Sequence, residues 1–263
     1  MWDVAMTTPT PEQTQAKWRE ITVLAEELAA RSSAVDGFTI APGSPLAGDD
    51  VHCDPYHASH AVKMSITSAI DHLHALCALV VHSGFLHLAA PATLARGVLE
   101  CASTAIWIAS PTTRDERIAR ALRWNITDVK DGDRAATGAG IPVPTSLQDR
   151  KDKIEVVATK RSLPFKPISG GYTSSEAVAA AEAFLKPPLG VVLPWRLASG
   201  FAHGRRWAML AFADRMQQQA TTQPSVVNLK MENDFTKVLF LGLAAAQVVK
   251  GAVALFEKRS SAP

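Results

Sequence analysis

Apolar residues along this chain recur mostly at three- and four-residue spacing, the period of a helix that buries one face. The punctuation between the runs is equally helical. Thr10-Pro11-Glu12-Gln13 joins an N-cap, a proline at the first helical position and a capping-box glutamine, predicting a helix to about Arg31. The Gly/Pro/Asp-rich residues 35–54 read as a loop, long enough for a functional flap or for wrapped chain. Asp54-Pro55 opens a second helix to about Ser83, Pro91 a third to Ser110-Pro111, and Thr113-x-x-Glu116 a charged fourth to Val129. Residues 131–144 read as loop, 146–161 as a charge-dense peripheral helix and 163–171 as Pro/Gly loop. Thr173-x-x-Glu176 caps a short Ala-rich helix to Leu185, Pro194 starts another to about Gln219, and the last runs from about Asn233 to Lys258. Only residues 225–231 (SVVNLKM) have strand character.

The pattern therefore predicts an all-α protein: one domain over residues 1–263, a bundle of seven or eight helices with at most one short strand or hairpin. Residues 1–10 read as a disordered leader and residues 131–171 as a peripheral insertion.

Composition narrows the class. At 263 residues and 47% hydrophobic content the chain can bury a full core. A formal charge of +2 supplies no global basic field, so any polyanion must be held by a local patch. Cys53, Cys77 and Cys101 form no CxxC pair and sit mostly in apolar runs, which points to buried free thiols and a reducing, cytoplasmic compartment. The N-terminus has no basic and apolar regions of a secretory signal. The most apolar stretch, residues 238–256, is broken by Gln247 and Lys250 and reads as a core helix; residues 66–90 carry Asp71 and four histidines, so no membrane is expected as a partner.

Three segments could carry chemistry. On one continuous helix from Pro194, Arg196, Ser199, Gly200, His203, Arg206 and Trp207 share a face, with Arg205 beside it. Such a face suits an anion or phosphate grip with His203 as acid/base, or an interhelical contact with snorkelling arginines. Gly200 and Gly204 weaken the helix and suggest the close approach of another helix or a ligand. Arg96 and Glu100 form an i,i+4 pair inside an apolar helix; partly buried, they make a specified polar site in which Glu100 orients His203 or Arg196. Asp71 and His74, at i and i+3 on the histidine-rich helix, qualify as neighbours, whereas His72 and His74 point about 160° apart. No HExxH or ExxH occurs, so a metal is not expected, and Asp71 is read as holding a core His74 tautomer. No phosphate loop, dinucleotide fingerprint or nucleophile elbow appears, and no cofactor is expected.

The Arg-Glu helix (ARGVLECASTAIWIAS) and the downstream Ser-x-x-x-His helix rich in Arg and Trp (WRLASGFAHGRRWAM) resemble bacterial HEPN-like proteins (higher eukaryotes and prokaryotes nucleotide-binding). The resemblance covers residues 56–124 and 192–215. It implies a HEPN-like helical core and, in active members, a metal-independent homodimeric ribonuclease serving as a toxin or phage-defence effector. The family motif is an Arg, four to six residues, then a His; Arg196 and His203 are separated by six residues, while the polar residue that usually follows the Arg is Leu197 here.

Two functions stay open at this point. The first is a ribonuclease with Arg196 and His203 as catalytic residues and Arg96, Glu100, Ser199, Arg205, Arg206, Trp207, Asp71 and His74 as the wider binding set. Its partners would be RNA, a second copy of the chain and an antitoxin-like protein. The second is a non-catalytic bundle for a protein partner or small anionic ligand, with Arg96, Glu100, Ser199 and His203 in one closed internal network. The first needs Arg196 and His203 open to solvent.

Overall fold

A computed structural model describes residues 9–83, 85–223 and 225–262. The leader expected over residues 1–10 lies outside them as far as Thr8. The described chain is mostly α-helical, with eleven α-helices and one β-hairpin: α1 Pro11–Ser33, α2 Pro45–Cys53, α3 Ala58–Cys77, α4 Ala90–Ala109, α5 Arg114–Gly138, α6 Leu147–Lys160, α7 Phe165–Ser169, α8 Ser174–Leu185, α9 Val192–Ala202, α10 Arg206–Phe212, β1 Asp214–Ala220, β2 Val227–Glu232 and α11 Phe235–Ser260. A π-helical turn, Ala78–His82, prolongs α3.

The helix starts follow from capping. Thr10 Oγ1 accepts from the Gln13 amide at 3.2 Å while the Gln13 side chain accepts from the Thr10 amide at 2.8 Å. Thr113, Ser146 and Thr173 cap α5, α6 and α8, their hydroxyls accepting from the Glu116, Asp149 and Glu176 amides.

The three helices beyond the expected eight have local causes. Within the stretch read as loop, Ser44-Pro45 repeats the cap-and-proline signature, and Ser44 accepts from the Ala47 amide to start α2. The five-residue α7 falls in the loop expected over residues 163–171, and α5 runs on to Gly138, past the expected end at Val129 and into the loop expected over residues 131–144.

The third case is the division of the helix drawn from Pro194 to Gln219. It ends at Ala202 in a Schellman motif. Gly204 takes φ +60°, its amide donates to Phe201 O at 3.0 Å, and the Arg205 amide reaches back to Gly200 O at 2.8 Å. After α10 the chain turns extended, and the residues drawn as the helix's tail pair antiparallel with β2, from Asp214↔Glu232 to Ala220↔Val227, with a bulge at Met216. The expected strand needed a partner for its amides, and this ladder supplies one against the helical preference of the glutamine run.

The chain separates into two compact units. One comprises the chain up to Ala34, residues 68–100 and residues 187–249. Its core takes Trp18, Ile21, Ala25 and Leu28 from α1, with Ile70, Leu73, Leu76, Leu99, Phe201, Leu239 and Val248. Gly242 seats the Trp18 ring: a Cβ there would lie 2.7 Å from Trp18 Cη2.

The other unit comprises residues 35–67, 101–186 and 250 onward. Leu46, Ile106, Trp107, Ile118, Leu122, Ile154 and Ile168 are buried in it, and Phe38 meets Phe256 edge-on at 5.4 Å.

Ala58–His82 and Phe235–Ser260 are long and apolar enough to cross a membrane. Of their most apolar stretches, 44% and 67% are buried within the protein.

Candidate functional site

In α4, Arg96 and Glu100 form the expected pair, with Arg96 Nη2 3.0 Å and Nε 3.1 Å from Glu100 Oε1. Both side chains are largely but not fully covered, at 29% and 22% exposure. The indole N–H of Trp195 donates to the same oxygen at 2.8 Å. Sequence reasoning missed Trp195: an indole in an apolar helix needs an acceptor, but nothing in the sequence says that the acceptor is Glu100, 95 positions away. Its bond ties α9 to α4 directly beside Arg196. At Gly97 a Cβ would come within 2.6 Å of the His72 ring, so this glycine lets α3 and α4 close over the imidazole.

Along α9, Arg196 and His203 lie on one face, two turns or about 10 Å apart. Both side chains are exposed and make no hydrogen bond or ion pair among the described residues. Leu197, by contrast, is a core residue. Around His203, the cap of α9, the chain turns into α10 and presents Arg205, Arg206 and Trp207, all exposed; Trp207 is 53% open. Arg205 and Arg206 also have no anionic partner among the described residues.

Gly200 is the point of closest approach, since a Cβ there would stand 2.4 Å from Ala208 Cβ and 3.0 Å from Trp207 Cζ2. The expected close approach is therefore real, and a helix makes it. Gly204 has open space around it and serves the turn alone.

Several expectations are overturned. The six residues placed on one helix face divide, with Arg206 and Trp207 on α10. The closed network of Arg96, Glu100, Ser199 and His203 does not form. His203 faces solvent, and the buried Ser199 Oγ has no hydrogen-bond partner among the described residues. Asp71 and His74 are exposed on α3 rather than paired in a core, because Ile70, Leu73, Leu76 and Cys77 take its buried face and the helical period turns positions 71 and 74 away. Among the described residues no three His, Cys, Asp or Glu side chains gather as a metal site.

The other unit holds polar clusters that sequence reasoning did not find. Asp49, fully buried, accepts from Arg117 at 2.6 and 2.8 Å and from Arg114 at 3.1 Å. Arg117 Nη1 also donates to the carbonyls of Pro111 and Thr112, and Arg259 to those of Ala109, Ser110 and Pro111. These arginines close the C-terminus of α4, whose carbonyls lack helical partners. Burial, and then Arg117, push the Arg259 guanidinium below its usual pKa, against the pull of Asp49. Nearby, Trp107 stacks on Tyr172 at 5.0 Å, and Arg123, 5.1 Å from the Trp107 ring centre, forks onto Glu176 with two 2.7 Å bonds. All these groups satisfy one another.

Burial also raises the Cys53 thiol to about 12 and the Cys77 thiol to about 11, which keeps both protonated and unsuited to nucleophilic work near neutrality.

Compared with protein-family models, curated proteins and solved structures, the chain matches none. Its chemistry has to be argued from the site. The α9–α10 corner offers three guanidinium groups, one imidazole and one open indole, with no anion paired to them among the described residues. This is the combination that binds phosphates and stacks a base.

Proposed function

We propose that the chain is a HEPN-type, metal-independent endoribonuclease whose RNA-binding surface is the α9–α10 corner. The observation that carries this reading is that Arg196, His203, Arg205 and Arg206 are all exposed and unengaged on that corner. A closed, non-catalytic network would have turned His203 inward. Leaving several cations without counter-ions is costly in self-repulsion and makes sense where a polyanion supplies the charge.

In the proposed reaction a neutral His203 takes the proton of a ribose 2′-OH, and the 2′-oxygen attacks the adjacent phosphorus. Arg196 holds the charge that builds on the non-bridging oxygens. The P–O5′ bond breaks, a proton from the His203 of a second copy goes to the leaving O5′, and the products are a cyclic 2′,3′-phosphate and a free 5′-hydroxyl. One histidine per chain thus calls for a homodimer. Glu100 is a positioning residue, acting on Arg196 through Trp195. Such an activity belongs to a cytoplasmic growth-arrest or phage-defence effector held in check by an antitoxin-like partner.

The test is RNA cleavage in EDTA by the wild type, His203→Ala and Arg196→Ala. All three must show the same circular dichroism and oligomeric state. Cleavage by the wild type that is lost in both variants supports the assignment. A folded wild type that leaves structured and unstructured RNAs intact overturns it.

A further inference from the structure

A second site lies in the unit that contains α1. A cavity of about 620 Å³ opens between the first turns of α1, the π-helical turn after α3 and the start of α11. Its size falls in the range of roughly 300–1,000 Å³ that small-molecule sites occupy. Trp18 forms part of its floor, 3% exposed, its ring held by its seat on Gly242 and by an indole N–H directed at Phe235 O, 3.4 Å away. Val80 and Val81 of the π turn form one wall, and Phe235 another. Val81 and Phe235 are 40% and 48% exposed, so apolar surface lining this cavity is open among the described residues. Single-turn π-helices frequently mark functional sites.

The charges at the cavity are unequal in availability. Asp234 is already committed: its Oδ1 accepts from the Thr236 amide at 2.8 Å and the Lys237 amide at 3.2 Å, capping α11. Arg19 also lines the cavity, is exposed, and has no ion pair or hydrogen bond for its guanidinium among the described residues. The hydroxyls of Thr14 and Thr236, 3.3 Å apart, use one donor between them and keep acceptor capacity for a bound polar group.

We infer that this cavity binds a small aromatic carboxylate, its ring against Val81 and Phe235 and its carboxylate on Arg19. The site is independent of the α9–α10 corner and of the ribonuclease reading. A free guanidinium selects the anion, and the exposed apolar surface of Val81 and Phe235 favours a flat apolar body.

The test uses three probes with one body and different charge: phenylbutyrate, phenylbutanol and phenylbutylamine. Each is titrated calorimetrically into the full chain and into Arg19→Gln and Val81→Trp. Both variants alter exposed positions, and their folding is checked by circular dichroism. The expected result is single-site binding of phenylbutyrate at least roughly tenfold tighter than the alcohol or the amine, the size of effect a charge-assisted hydrogen bond gives. That preference disappears in Arg19→Gln, and all three probes lose binding in Val81→Trp, where the larger ring fills the cavity. The inference is overturned by absence of saturable phenylbutyrate binding to the folded wild type. It is equally overturned by an alcohol that binds as tightly as the acid, or by binding that persists unchanged in Val81→Trp.

Discussion

Arginine does opposite things in two regions of this molecule. Beside the end of α4, Arg117 is buried and Arg259 half-buried, and every guanidinium bond runs to the Asp49 carboxylate or to a main-chain carbonyl of residues 109–112. At the α9–α10 corner, Arg196, Arg205 and Arg206 stand in solvent and bind nothing in the described chain. The first group completes a helix terminus that would otherwise leave carbonyls unpaired. The second completes nothing internal. Arginine content alone therefore says little about function; what matters is whether the protein has already used the donors.

Breaking that contrast should give effects of very different size. Asp49→Ala leaves Arg117 buried without its counter-ion and should cost about 3–5 kcal/mol of stability, read by chemical denaturation. A loss below about 1 kcal/mol would show that solvent reaches the cluster. Next comes Gly200→Ala. Its new methyl meets Ala208 at 2.4 Å, so α10 must shift and stability should fall by about 1–3 kcal/mol, with the Trp207 seat disturbed. Unchanged stability together with unchanged RNA affinity would refute the tight α9–α10 packing. The smallest effect on folding is expected for Arg206→Ala, within about 0.5 kcal/mol of the wild type. The same variant should lower the salt dependence of RNA binding by about one unit of slope, the signature of one lost phosphate contact. A large stability loss there would move Arg206 into the structural class.

Helix existence was legible because it depends on neighbours in the chain. Thr10, Thr113, Ser146 and Thr173 each announced a helix within four residues, and each cap is formed. Arg96 and Glu100 were legible as a pair for the same reason, one turn apart on one helix. Even the errors near α9 had a local signal: Gly204 is the residue a helix C-terminus asks for, outweighed in the reading by the apolar period that continues into α10. Trp195 as a partner of Glu100, 95 positions away, had no such signal.

Local chemistry along the chain thus determined that this protein is helical, where most of its helices begin, and which side chains are costly enough to need an explanation. Tertiary structure alone decided what became of those side chains. The Asp71 and His74 positions were turned to solvent because four apolar neighbours claimed the other face of α3. Asp49 was buried because Arg114 and Arg117, more than sixty residues distant, compensate its charge. His203 was left open because Gly204 ended its helix at that residue. The difference is one of range: capping and periodicity act over a few residues, whereas burial and charge compensation depend on which distant segments the fold brings together.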